Sequence, residues 1–188
     1  MGLRQSLTTE QSLDTNLTAE DKALFKHAKN IQQILKGAKT IAMVGLSNKP
    51  ERPSNFVASY LLSEGYQVIP VNPRADEILG QKSYPDLKSI PVPVDVVDVF
   101  RAPAACDAIV TEVIEVGAKA VWLQLGVINR NAANAALDAG LTVVMDACMK
   151  IEHGRYNGSL RYFLRFLARV EINRLNTKVS GVRCQVSG

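Results

Sequence analysis

Cysteine, histidine and aromatic residues are scarce in this chain, and long apolar runs are missing. Three cysteines, Cys106, Cys148 and Cys184, stand far apart and odd in number, which argues against a secreted disulfide framework and suits free thiols in a reducing compartment. Only His27 and His153 supply imidazoles, too few for a multi-histidine metal site, and no metal is expected. Charged or polar residues interrupt each apolar run before it could cross a bilayer, and the N-terminus lacks the basic-then-apolar pattern of a secretory signal. These absences point to a soluble, cytoplasmic chain with no membrane partner.

What is present is an ordinary globular composition. A chain of 188 residues, 47% hydrophobic and 21% charged, has room for one domain with a sizeable core and short appendages. The net charge of +4 is unevenly spread. From Lys150 onward there are eight Lys/Arg against Glu152 and Glu171, a balance of +6, which leaves residues 1–149 at −2. The body therefore lacks the coherent positive surface that general nucleic-acid binding requires, and no nucleic-acid partner is expected.

Residues 1–17 are polar and aperiodic and read as a flexible extension. Thr18 with Asp21 resembles a capping box, and Leu24, Ala28, Ile31 and Leu35 then recur at helical spacing, so one amphipathic helix is expected up to Gly37. Five short apolar runs follow: Ile41–Val44, Val68–Val71, Val94–Phe100, Ala120–Leu125 and Leu141–Met145. Between them lie helical segments, one over 55–64 with Phe56, Tyr60 and Leu61 on one face, one over 104–116 and one over 129–139. Strands apolar on both faces and separated by helices specify an α/β fold, a doubly wound parallel sheet with helices on both sides. Beyond the sheet, Arg161, Arg165 and Arg169 oppose Leu160, Phe163, Leu164 and Leu167, which predicts a further amphipathic helix. A single domain over 18–172 and a loose tail over 173–188 are expected.

Ligands of such sheets bind beyond the carboxyl ends of the strands. After strand one comes Gly45-Leu46-Ser47-Asn48-Lys49-Pro50-Glu51-Arg52-Pro53-Ser54. Gly45 permits a tight turn, Ser47 and Ser54 offer hydroxyls, Ser54 can cap the following helix, and Lys49 and Arg52 add charge where backbone N–H groups already favour phosphate. An anion site and an ordinary polar loop with a good cap explain this segment equally well. A dinucleotide site would demand G-x-G-x-x-G here and an acid at the end of strand two. Instead strand two ends Val71-Asn72-Pro73-Arg74, where the cation suits a phosphorylated ribose. That keeps NADP open and brings in coenzyme A. Strand three ends Phe100-Arg101-Ala102-Pro103, so Phe100 and Pro103 can cover an adenine while Arg101 meets phosphate. Gln124 and Gly126 close strand four, and Cys148 follows strand five on the ligand side, where a buried small thiol is the plainer reading and a mixed disulfide with a pantetheine thiol the alternative. Trp122 reads as core.

The strings Gly45-x-Ser47 with Arg52-Pro53-Ser54, Pro70-Val71-Asn72-Pro73, Val97-Asp98-Val99-Phe100-Arg101, Trp122-Leu123-Gln124 and Met145-Asp146…Cys148-Met149…Glu152-His153 resemble the stand-alone CoA-binding proteins. These are similar to the CoA-binding N-terminal domain of the succinyl-CoA synthetase α subunit. The resemblance spans about residues 18–156 and implies a Rossmann-like sheet of order 3-2-1-4-5, with the strand-one loop on the CoA phosphates. It places Val71, Pro73 and Phe100 near the adenine. The phosphohistidine domain and nucleotide-grasp partner of the synthetases are not in this sequence, and His153 does not sit in a phosphohistidine motif, so no catalytic residue is assigned. The expected activity is binding of CoA or an acyl-CoA in a non-catalytic or accessory role. The alternatives are an NADP- or CoA-dependent enzyme and a CoA-sensing regulatory or scaffold subunit, with a protein partner or a second copy of the chain as possible company.

Overall fold

A computed structural model describes residues 17–158. Residues 1–16 and 159–188 lie outside this range, and with them the polar extension, the arginine-striped helix and the tail. The described elements are α1 (Ala19–Phe25), α2 (Ala28–Gly37), β1 (Thr40–Val44), α3 (Pro53–Ser63), β2 (Gln67–Val71), β3 (Glu77–Ile78), β4 (Gln81–Lys82), β5 (Val96–Val99), α4 (Cys106–Glu115), β6 (Ala120–Leu123), α5 (Arg130–Asp138), β7 (Thr142–Met145) and α6 (Met149–His153). One compact unit closes at Glu152, and a second begins at His153. Among the described residues no helix is long and apolar enough to cross a membrane.

The sheet is parallel throughout, in the order β2-β1-β5-β6-β7. This bears out the doubly wound fold and corrects the expected strand order. Counting the five apolar runs along the chain, the order is 2-1-3-4-5, because the third run, β5, pairs with β1 on the side away from β2. The place outside β2 is taken by a single parallel bridge, Val71 to Tyr84, with Tyr84 N–H donating to Pro70 O and Tyr84 O accepting from Asn72 N–H. This outer strand is limited to that one residue.

On one face, Val97, Val99, Val121, Leu123, Val143 and Met145 pack with Val110 and Val113 of α4 and with Ala132, Ala133 and Ala136 of α5. By strand alternation the intervening residues, Met43, Asp98, Trp122 and Val144, face the opposite layer. There α3 buries Val57, Ala58 and Leu61. Trp122 is fully buried, and its Nε1–H donates to Ala147 O at 2.7 Å, so the core reading holds.

Three local expectations need correction. The first helix is two helices. The capping box at Thr18 and Asp21 forms, but the chain breaks at Lys26 and His27, where His27 Nδ1 accepts from Lys29 N–H and starts α2. Phe25 joins the α4/α5-side core, while Ile34 lines the amino end of the sheet beside Val96 and Ala120. One straight helix cannot serve both, and Leu24 is left exposed. Phe56 is 60% exposed and carries the Lys150 ammonium 3.4 Å from its ring centroid, a cation–π contact instead of a core position. Finally, Arg52 occupies the N-cap of α3 without a side-chain bond, with Pro53 in the first turn. Ser54, inside the helix, has another partner.

At the amino ends, Asp95 Oδ2 accepts from the N–H groups of Lys39 and Thr40, and Oδ1 takes Lys119 Nζ at 2.7 Å. Partial burial alone would raise this carboxyl, but the hydrogen bonds outweigh it and pull its pKa down to about 2. A depressed acid stabilises the fold above its unfolded value of 3.8, and the contribution is lost as pH falls toward 2. With solvent screening at this rim position, Asp95→Asn should cost about 1 kcal/mol at pH 7 and flatten the acid limb of a urea-denaturation series between about pH 4 and pH 2.

Candidate functional site

Adjacent strands β2, β1 and β5 bring three loops together at their carboxyl ends. The chain turns from β1 to one side and returns as β5 on the other, so the switch point lies between β1 and β5. Gly45 sits there with φ +85°, its N–H donating to Val71 O at 3.0 Å. A Cβ on Gly45 would stand 2.6 Å from Phe100 O and 2.8 Å from Arg101 Cδ. The loops of β1 and β5 therefore touch backbone to backbone, and only glycine fits.

Beyond Gly45 the loop is fastened at each step. Leu46 is fully buried, and its O accepts from Asn72 Nδ2 at 2.8 Å. Ser47 N–H donates to Ser54 Oγ, Ser47 O accepts from buried Asn55 Nδ2, and Ser47 Oγ accepts from Lys49 N–H. Asn72 Oδ1 takes Arg74 N–H, closing a turn after β2. Asn129 Nδ2 donates to Pro103 O and Asp107 Oδ2 while its Oδ1 caps α5. Asp146 Oδ1 accepts from Gly126 N–H.

The predicted residues separate into two groups. Gly45, Ser47, Asn48, Lys49, Arg52, Pro53, Ser54, Val71, Asn72, Pro73, Arg74, Phe100, Arg101 and Pro103 all belong to the β1, β2 and β5 loops. Within this group Val71 and Ser54 are buried, Phe100 and Pro103 half-buried, and Asn48, Pro73 and the four cations exposed. Lys49, Arg52, Arg74 and Arg101 make no ion pair among the described residues, so the rim of this crevice is positive. Gln124, Gly126 and Cys148 lie farther along, after β6 and β7. Gly126 is exposed and Cys148 half-buried, whereas Gln124 is buried and turned inward.

Gln124 Nε2 donates to both carboxylate oxygens of Asp98 at 2.9 Å. Asp98 is fully buried two residues below the β5 loop. Burial pushes its pKa up to about 8 against the opposing hydrogen bonds of Gln124 and the Val99 N–H. Burial thus favours the protonated form of Asp98 and lessens the negative charge beneath the cationic rim.

Sequence reasoning gave no site role to Asn55, Asn129, Asp98 or Asp146, the residues that shape the loops. All four carry amide or carboxylate groups in the first turn or N-cap of a helix or at the end of a strand, and that placement was the available signal. A separate cleft of about 250 Å³ opens at the amino ends, lined by Ile34, Gly37, Asp95, Lys119 and Thr142 among others. It is remote from the loops, and Asp95 there is already saturated.

A sequence profile described as CoA binding domain matches residues 39–154. The chain belongs to the CoA-binding domain family. It is 42% identical over 123 residues to the uncharacterized protein YneT of Bacillus subtilis (strain 168), a match covering 65% of this chain and 91% of that one. A hypothetical protein from Pyrococcus horikoshii OT3 shares 43% identity over 76% of this chain and 94% of its own, with a TM-score of 0.66. The dinucleotide-forming acetyl-coenzyme A synthetase 1 of Ca. Korarchaeum cryptofilum, solved with phosphate and ADP, shares 26% identity, covering 62% of this chain and 28% of that one, TM-score 0.55. The match to the CoA-binding domain begins at Lys39, after α1 and α2.

Two substitutions test this geometry. Gly45→Ala should cost about 3 kcal/mol, combining a left-handed alanine with a backbone clash, whereas Gly65→Ala, at φ +95° with open space around it, should cost about 1 kcal/mol; urea midpoints at unchanged slope decide between them. A raised acid makes stability fall as pH rises from 3.8 toward 8. Asp98→Asn should remove that decline and make the protein more stable than wild type at pH 8 in thermal melts.

Proposed function

We propose that this CoA-binding domain holds CoA or an acyl-CoA along the carboxyl ends of the sheet as a cytoplasmic binding module, non-catalytic or accessory to another protein. The observation that carries the reading is the Gly45–Phe100 approach, which brings the β1 and β5 loops together backbone to backbone beside four exposed cations that make no ion pair among the described residues. In it the diphosphate lies over the β1 loop at the N-terminus of α3, where backbone N–H groups and Arg52 favour negative charge. Pro73 and Phe100 flank the adenine. Arg74 and Arg101 reach the ribose phosphate, with guanidinium groups that pair with phosphate oxygens two at a time. Protonated Asp98 adds little repulsion. The pantetheine arm then leads toward Gly126 and Cys148.

Arg74 standing where a dinucleotide site places an acid also favours a second reading, NADP bound through its ribose phosphate. Isothermal titration with CoA, dephospho-CoA and NADP separates the two. The expected result is CoA binding that weakens about tenfold on loss of the ribose phosphate, and again in Arg74→Ala or Arg101→Ala, with a marked decline at high salt. NADP binding tighter than CoA would select the second reading. Failure of every CoA species to bind would remove the first.

A further inference from the structure

Asp146 has a left-handed backbone, φ 55°, a strained conformation for a residue with a side chain. Its carboxylate joins three segments: Oδ1 accepts from Gly126 N–H at 2.9 Å after β6, and Oδ2 binds Lys26 Nζ at 2.7 Å at the end of α1. The two side chains are only 30% and 20% exposed. A second ion pair holds α1 from the other end. Arg130, at the start of α5, donates through Nε and Nη2 to Asp21 Oδ2 at 2.9 and 2.8 Å. Burial would raise the Asp21 carboxyl, but its bonds from Arg130 and Thr18 outweigh that and hold it below its usual range. Four charged groups from α1, α5 and the β7 loop therefore stand at the β6–β7 end of the carboxyl edge. The cations proposed to hold phosphate stand at the β2–β1–β5 end.

Strand spacing puts these two ends roughly 14 Å apart, three intervals of about 4.8 Å. A ligand anchored by its phosphates at one end extends its thiol toward the other. A long alkyl chain continuing from that thiol past the exposed Leu125 would displace water from the Lys26–Asp146 pair without offering it a hydrogen bond, and would meet charge where it needs further apolar surface. We propose that the Lys26–Asp146 pair, backed by Arg130–Asp21, is the specificity-determining wall at the thiol end of the site and selects free CoA and short acyl groups over long alkyl chains. This rests on the CoA reading of the same site.

The test is titration of acetyl-CoA and octanoyl-CoA into wild type, Lys26→Met and the Lys26→Met/Asp146→Asn double variant, the readout being the ratio of the two affinities. Asparagine tolerates the left-handed backbone and keeps the acceptor for Gly126. Wild type should favour acetyl-CoA by about tenfold, and the ratio should fall to about threefold or less once the wall is neutral. The proposal is overturned if wild type binds octanoyl-CoA as tightly as acetyl-CoA, or if the ratio is unchanged in a folded Lys26→Met/Asp146→Asn protein. Should that double variant unfold, Lys26→Gln/Asp146→Asn, which keeps a hydrogen-bonded but uncharged pair and the acceptor for Gly126, carries the test with the same two outcomes. If no CoA species binds wild type, the CoA reading fails and takes this one with it, an outcome distinct from an unchanged ratio.

Discussion

The carboxyl edge of this protein depends on one contact, the approach of the β1 loop to the β5 loop at Gly45 and Phe100. With a Cβ position 2.6 Å from a carbonyl oxygen, the two loops could not meet if residue 45 carried a side chain. Their meeting sets how β1 hands the chain to α3, and with it the position of Ser47, Ser54 and the α3 N-terminus. It also draws the Arg101 stem over Gly45, joining a cation of one loop to the turn of another.

Around that contact the loops are pre-organised by short polar side chains. Asn55 holds Ser47, Asn72 holds Leu46, Asn129 holds Pro103 and Asp146 holds Gly126. Each fastens a carboxyl-end loop to a neighbouring segment through a backbone group, and three of the four bonds lie in part-buried surroundings where an unpaired carbonyl would be costly. The groups left over are the ones exposed at the rim: Lys49, Arg52, Arg74 and Arg101. Two acids set back from the rim are offset, Asp98 by burial that favours its protonated form and Asp146 by pairing with Lys26, while Glu51 and Asp76 stay exposed in the β1 and β2 loops. With four exposed cations against Glu51 and Asp76, the rim keeps the excess of positive charge that a polyanionic ligand needs.

The same construction explains the helices ahead of the family match. The α1–α2 turn passes beside the β7 strand, an edge of the sheet, and its ion pairs tie residues 21 and 26 to the β6 and β7 loops. An edge strand covered in this way offers fewer free backbone groups to other chains.

The sequence by itself determined the fold class and the strand runs, because β-branched residues apolar on both faces, punctuated by glycines and helical periods, fit little other than a parallel sheet wound on both sides. It also located the loops that carry the candidate site, since these follow the strand ends. Periodicity describes one segment at a time, and segment pairing was beyond it. Strand order came out differently because the strand outside β2 is reduced to the single bridge at Tyr84, which changes which run is counted third. The split at Lys26 and His27, and the exposure of Phe56, depended on neighbours from distant positions in the chain. Gln124 read as a ligand residue, yet only the packing of β5 against β6 turned its amide onto Asp98. Tertiary structure alone decided which polar groups bind one another and which remain open to a ligand, because hydrogen-bond partners far apart in sequence leave no period and no spacing to read.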